Sequence, residues 1–125
     1  AVSYLNRVRP PNSLGVLNLA LAEIALEDID WVKEMVRLII MERERCAKEL
    51  SSMSGVKVYP SETNFLLLEF EDHSAKDVYS MLLKRGLVLR DVSGTPGLEH
   101  CLRFGIGLPE HNDEFLSALR EILSG

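Results

Sequence analysis

Leu87-Val88-Leu89-Arg90 and Cys101-Leu102-Arg103-Phe104-Gly105-Ile106-Gly107 are two short apolar runs that each carry a single arginine. Both runs are rich in residues that suit β-strands. Between them lies Ser93-Gly94-Thr95-Pro96-Gly97, a dense cluster of residues that form turns. The pattern predicts two neighbouring strands that bring Arg90 and Arg103 to corresponding positions.

The two arginines are the strongest functional signal in the sequence. An arginine in an otherwise apolar strand is costly unless an anionic group meets it. The planar guanidinium can bind a carboxylate or a phosphate through two parallel hydrogen bonds. We therefore expect Arg90 and Arg103 to form an anion-binding pair. The alternative is that both are structural and pair with acidic residues of the sheet, namely Glu69, Asp91 or Glu99.

Composition limits the other functions that the chain can have. Its 125 residues are enough for one compact domain, and 46% hydrophobic with 26% charged residues is typical of a globular protein. The formal net charge of −5 argues against an extended nucleic-acid surface. The two cysteines, Cys46 and Cys101, are too few for a disulfide framework and predict free buried thiols in a cytoplasmic protein. The three histidines are scattered and predict no metal site.

No segment of the sequence resembles a membrane span or a secretion signal. The apolar run over residues 14–26 is interrupted by Asn18 and Glu23 and is too short to cross a bilayer. No basic segment with a small-residue cleavage site precedes it. A glycine-rich phosphate loop and a nucleophilic serine elbow are also absent. The residues therefore indicate binding more strongly than catalysis.

Hydrophobic periodicity predicts an α+β fold, a two-layer α/β sandwich with a small sheet of three or four strands covered by helices. Residues 1–12 are expected to be an irregular linker because Pro10-Pro11 excludes a regular helix. The predicted elements are helices over 14–27 and 31–53, strands over 56–59 and 64–70, a helix ending near 85, strands over 87–90 and 101–107, and a helix over 109–123.

Three of these elements carry further expectations. The first helix is apolar on nearly every face, so it should be covered by a surface outside a small free-standing domain. In the second helix, Glu42-Arg43-Glu44-Arg45 is expected to be a solvated face with weak ion pairs, and Cys46 is expected to lie in the core. Residues 65–68 are apolar on both faces, which predicts a central strand with cover on each side.

Six segments follow one another along the chain and form a recognisable set. They are Arg9-Pro10-Pro11-Asn12, Glu42-Arg43-Glu44-Arg45, Ser61 to Leu67, Gly86 to Arg90, Leu102 to Gly107 and Pro109-Glu110-His111-Asn112. Taken in this order, they resemble the C-terminal small domain of histidinol-phosphate aminotransferases, which are pyridoxal-phosphate-dependent enzymes of fold type I, class I/II. The first, second and last segments resemble the "RPPYN", "ERE" and "PEEN" motifs of that family, and the similarity covers essentially the whole chain.

The resemblance implies that residues 1–12 are an interdomain linker and that residues 13–125 are the small domain. Arg103 would bind the acidic group of a phosphorylated amino-alcohol or amino-acid substrate, and Arg90 would help to hold its phosphate. The complete enzyme would be a cytoplasmic homodimer of histidine biosynthesis that moves an amino group between glutamate/2-oxoglutarate and imidazole-acetol phosphate.

The resemblance also implies what this sequence lacks. The lysine that binds pyridoxal phosphate belongs to a large domain that is absent here, so we expect no catalytic, cofactor-binding or metal-binding residue and no activity from this chain alone. Two departures from the family pattern are Asn12, which follows the prolines directly, and Leu108, which stands where threonine or serine is usual.

Two alternatives to this interpretation remain. Threonine-phosphate decarboxylase of cobalamin synthesis has a very similar small domain, and Arg90-Asp91-Val92-Ser93 resembles its "RDCS" segment. The other alternative is a stand-alone regulatory module that senses a small anion through Arg90 and Arg103.

Overall fold

A computed structural model describes residues 15–124. The chain divides into two compact units, the first ending at Val36 and the second beginning at Arg37. The linker predicted over residues 1–12 lies outside the described residues, so it remains a prediction.

The described part of the first unit consists of helix α1 (Val16–Glu27) and the start of helix α2 (Ile29–Ser51). Asp28 ends α1, and its carboxylate accepts a hydrogen bond from the Trp31 N–H at 3.4 Å. No side chain of α1 is buried, and Val16 is 85% exposed. The helix is therefore apolar and exposed in the described residues, and the further surface expected to cover it stays a prediction.

The second unit contains the rest of α2 and six further elements in the order predicted from periodicity. They are β1 (Val56–Val58), β2 (Phe65–Phe70), α3 (Ala75–Lys84), β3 (Arg90–Asp91), β4 (Cys101–Gly105) and α4 (Pro109–Ser124).

The strand β3 is shorter than predicted, because residues 87–89 form no regular strand. The end of α3 uses part of this run: the Leu87 N–H donates to the Leu82 carbonyl oxygen and the Gly86 N–H to that of Leu83. Gly86 has a positive φ of 83°, which is typical of the residue that follows a helix. Leu87, the first residue of the predicted strand, is therefore hydrogen-bonded to the end of α3, and strand pairing with β4 begins only at Arg90.

The four strands form one antiparallel sheet in the order β1-β2-β4-β3. Side chains alternate between its faces. Those of Leu66, Leu68 and Phe70 on β2 are almost completely buried, whereas those of Phe65 and Leu67 are half-buried. Because β2 lies between β1 and β4, the prediction of a central strand is confirmed.

The helices of the second unit pack on the buried face of the sheet. The core joins β-strand residues to side chains of α2, α3 and α4, and the rings of Phe104 and Phe115 stack with centroids 4.0 Å apart. This arrangement confirms the predicted two-layer α+β fold. The predicted cover on each side of β2 is complete only on the side of the helices, because Phe65 and Leu67 on its other side are half-buried. We call the other side the open face.

Candidate functional site

The predicted pairing of the two arginine-bearing runs is confirmed, because Arg90 on β3 lies directly opposite Arg103 on β4. Residues opposite one another in an antiparallel pair project from the same face of the sheet. Arg103 also lies opposite Leu67 of β2. The two exposed guanidinium groups therefore share the open face, away from the core.

A cavity of about 240 Å³ lies beside the arginine pair. The guanidinium carbon of Arg103 lies 4.8 Å from the centroid of the Phe65 ring, in a cation–π contact that restricts the side chain. The residues that line the cavity are Asn64, Phe65, Val88, Leu89, Arg90, Arg103 and Gly105. The cavity thus combines two cations with an aromatic and aliphatic wall, which suits an anionic group attached to a carbon skeleton.

The acidic residues expected in the structural alternative do not pair with these arginines. Among residues 15–124, no carboxylate forms a salt bridge with Arg90 or Arg103. Asp91 instead accepts a hydrogen bond from the Ser93 N–H at 2.8 Å, and Glu99 accepts one from the Gly97 N–H at 3.0 Å.

The third expected partner, Glu69, belongs to a separate cluster on the sheet. Its carboxylate accepts hydrogen bonds from the Tyr59 hydroxyl at 2.6 Å and from the Lys57 ammonium at 2.9 Å. These two donors hold the pKa of Glu69 below its usual value. All three candidate acids are therefore engaged elsewhere.

The prediction of a solvated face over residues 42–45 was wrong for Glu42 and Arg43, which are buried. Arg45 donates to the Glu42 carboxylate from Nη2 at 2.7 Å and from Nε at 3.0 Å, and its Nη1 lies 2.7 Å from Asp113. These hydrogen bonds from Arg45, together with one from Asn112, hold the pKa of Glu42 below its usual value. The spacing of Glu42 with Cys46 could have indicated a common buried face.

Asn112 is a supporting residue that sequence reasoning missed. It is 1% exposed, and its amide accepts from the Gly107 N–H at 2.9 Å and donates to the Gly107 carbonyl oxygen at 3.1 Å. Its Nδ2 also donates to Glu42 at 2.8 Å. The contact fixes the chain two residues beyond Gly105.

Arg43 supports the other backbone segment that borders the cavity. Its Nη1 donates to the Thr63 carbonyl oxygen at 3.1 Å, directly before the cavity residue Asn64. Buried polar groups of α2 and α4 therefore hold the chain just before β2 and just after β4, at the same end of this strand pair, which limits motion of the cavity wall.

The cysteines and histidines of residues 15–124 form no second candidate site. Cys46 and Cys101 are free and buried, as predicted, and burial raises the pKa of the Cys46 thiol to about 11. No cluster of histidine, cysteine and acidic residues suited to a metal ion occurs in these residues. None of the described helices is long and apolar enough to cross a membrane.

The lysines do not fit the role of a cofactor anchor. All five, at positions 33, 48, 57, 76 and 84, are exposed. A Schiff-base lysine works in a site that lowers its pKa by desolvation or by a neighbouring cation. Lys57 has the opposite environment, because Tyr59 and Glu69 raise its pKa. The lysines thus lack the desolvated setting of a Schiff-base lysine, and the expectation that this chain has no cofactor-binding residue stays a prediction.

Comparison with curated proteins shows long similarity to aminotransferases. Histidinol-phosphate aminotransferase of Caldanaerobacter subterraneus subsp. tengcongensis is 44% identical over 123 residues, which is 98% of this chain and 34% of that protein. The chain thus spans about a third of the length of the curated relatives it matches.

Solved structures show the same relationship. The histidinol-phosphate aminotransferase of Clostridium acetobutylicum matches with a TM-score of 0.82 and 27% identity over 98% of this chain and 37% of that one. The histidinol-phosphate aminotransferase of Sinorhizobium meliloti, solved in complex with pyridoxal-5'-phosphate, matches with a TM-score of 0.78 and 25% identity. The match covers 98% of this chain and 33% of that one. L-threonine-O-3-phosphate decarboxylase of Porphyromonas gingivalis matches with a TM-score of 0.68 and 28% identity, over 71% of this chain and 28% of that one.

A family model places the chain among these enzymes independently of any single relative. The model of "Aminotransferase class I and II" matches residues 1–119, which is nearly the whole sequence. The matched region includes all four strands and the arginine pair. On this evidence, the chain belongs to the family of class I and II aminotransferases.

Proposed function

We propose that this chain is the small domain of a pyridoxal-phosphate-dependent histidinol-phosphate aminotransferase and that Arg90 and Arg103 bind the anionic group of its substrate. Residues 1–12 are the linker to a large domain, and residues 13–125 are the small domain. The observation that carries the proposal is the pair of opposed guanidinium groups beside a cavity, with no acidic partner in the described chain.

Electrostatics favours an anion between the two arginines. Like charges directly opposite one another on a sheet are destabilising. A phosphate that accepts hydrogen bonds from both groups would remove this repulsion, and a hydrogen bond to a charged group is worth about 1.5–3 kcal/mol. The chain is acidic overall, with a net charge of −5, so the pair provides a local cationic site on a negative surface.

The relatives favour the aminotransferase. The chain spans only about a third of their length, which supports the proposal that a large domain with the Schiff-base lysine completes the protein. Bound there, pyridoxal phosphate supplies the electron sink for amino transfer between glutamate/2-oxoglutarate and imidazole-acetol phosphate. This chain contributes the substrate anion site to a cytoplasmic homodimer and is inactive alone.

Anion binding by the chain can be measured directly by chemical-shift titration of the 125-residue protein with inorganic phosphate. We expect Arg103→Gln to weaken phosphate binding by about tenfold or more, and Arg103→Lys to weaken it also, because ammonium cannot form the bidentate fork. Arg37 is exposed on α2, so Arg37→Gln is the matched control for the lost charge and should bind phosphate normally. Equal affinity in Arg103→Gln and Arg37→Gln would contradict the proposal.

The structural similarity to L-threonine-O-3-phosphate decarboxylase makes that activity the second candidate. An antibody raised against this chain can isolate the endogenous protein for assay. A product about three times heavier than 14.1 kDa that transfers amino groups supports the aminotransferase, whereas release of carbon dioxide from threonine phosphate supports the decarboxylase. A product of 14.1 kDa would contradict both and favour a stand-alone anion-binding module.

A further inference from the structure

Gly105 is the cavity residue that stands nearest to Arg103 along β4. Two positions after Arg103 on the same strand, it belongs to the same face of the sheet, and it lies directly opposite Phe65. It is exposed and lines the cavity together with both arginines. A side chain at this position would therefore project from the open face beside the anion site.

The described chain offers no structural reason for glycine at this position. The residues with positive φ are Gly55, Gly86 and Gly97, and Gly105 is not among them. A Cβ atom built on Gly105 meets no heavy atom within 4 Å. By contrast, a Cβ atom on Gly107 would lie 3.6 Å from the Asn112 amide oxygen.

Glycine inside a strand carries a cost, because it loses more backbone entropy on folding and has no side chain to pack. Gly105 thus weakens the strand at a point where a larger residue would fit the chain itself. Glycine in a strand is typical of sites that a ligand approaches closely. The space above Gly105 is continuous with the cavity that contains Phe65 and Arg103.

We propose that Gly105 is a specificity-determining residue, which keeps the arginine site open to a phosphate monoester with a bulky carbon substituent. This inference rests on the proposed anion-binding function of Arg90 and Arg103. The two guanidinium groups hold the phosphate, and its substituent passes over the bare backbone of Gly105. A β-branched side chain there would occupy the path of the substituent and restrict the site to smaller anions.

The test uses Gly105→Ala and Gly105→Val in the 125-residue chain, with inorganic phosphate and phenyl phosphate as the probes. We expect Gly105→Val to weaken phenyl phosphate by about tenfold and inorganic phosphate by much less, because discrimination by a methyl-sized group is of this order. Gly105→Ala should lie between Val and the wild type. Thermal unfolding midpoints should not fall, because valine suits a strand better than glycine.

Gly94 provides the matched control, because a Cβ atom there also meets nothing within 4 Å and it does not line the cavity. Gly94→Ala should leave both affinities unchanged. Equal loss of both probes in Gly105→Val, no loss of either, or a lowered unfolding midpoint would each overturn the role of Gly105, even where Arg103→Gln still weakens phosphate binding. A wild-type chain that binds neither probe would instead refute the anion site itself.

Discussion

Glu42→Gln is the substitution that most directly tests the buried polar network. The carboxylate of Glu42 accepts two hydrogen bonds from Arg45, at 2.7 and 3.0 Å, and one from Asn112 at 2.8 Å. Glutamine preserves the shape but removes the charge, and its NH₂ group must face one of these donors. The substitution therefore breaks at least one charge-assisted hydrogen bond in a side chain that is 10% exposed.

The magnitude follows from what remains after the change. A hydrogen bond to a charged group contributes about 1.5–3 kcal/mol. Arg45 keeps Asp113 at 2.7 Å, so no unpaired buried charge is left and the cost stays below the ~3–5 kcal/mol of a broken buried pair. The Arg45 side chain is 34% exposed, so solvent screens part of the loss. We expect the free energy of unfolding to fall by about 2 kcal/mol.

Urea unfolding at pH 7 measures this change, and Glu44→Gln is the matched control. Glu44 lies two residues away on the same helix, is exposed and forms no ion pair within residues 15–124. Both substitutions remove one negative charge. Glu44→Gln should change the free energy of unfolding by less than about 0.5 kcal/mol. Equal changes in the free energy of unfolding would refute the buried hydrogen-bond network of Glu42 and support the solvated face predicted from the sequence.

The pH dependence provides a second measurement on Glu42. Its pKa in the folded chain lies below the usual 4.5, so the ionised carboxylate stabilises the fold above the unfolded-state pKa. That stabilisation is lost as the pH falls through the folded-state pKa. The stability difference between the wild type and Glu42→Gln should therefore be constant near neutrality and shrink in acid below about pH 4.5.

Two further substitutions and one labelling reaction test the buried residues. Asn112→Ala leaves both backbone groups of Gly107 without their partner and should lower the free energy of unfolding by about 3 kcal/mol in urea; a loss under 1 kcal/mol would contradict the clamp. Leu102→Ala removes a side chain with 0% exposure and should cost about 2–5 kcal/mol in the same assay, whereas a surface position would cost far less. Cys46 and Cys101 should react with a thiol reagent at pH 7 only as fast as the chain opens, because both are buried with raised pKa values; rapid labelling of the native protein would exclude this packing.

The sequence predicts the order of the elements and the pairing of the arginines because both depend on local signals. Alternation over residues 56–59 identifies β1, the continuous apolar run over 65–68 identifies β2, and the stripe from Phe115 to Ile122 identifies α4. Arg90 and Arg103 stand in two apolar runs separated by a turn, so their adjacency follows once the runs pair.

The remaining features depend on partners that are distant in the sequence. The local sequence predicts that Glu42 lies on the surface. Its partner Asn112 is 70 positions away, so only the folded chain brings the two residues together. The composition of residues 87–89 favours a strand, but the Leu87 N–H is hydrogen-bonded to the Leu82 carbonyl oxygen at the end of α3. The sequence cannot predict the open space beside Gly105, because that space depends on how far the other residues of the fold lie from this position.

The placement of α4 has a consequence for the chain during its synthesis. The inward residues of β2 pair with β4, and α4 supplies Phe115 and Leu119 to the same core. A ribosome therefore releases the apolar residues Leu66 and Leu68 well before their partners exist. Until α4 emerges, these residues lack part of their core, so we expect the second unit to complete its folding only after this helix has left the ribosome.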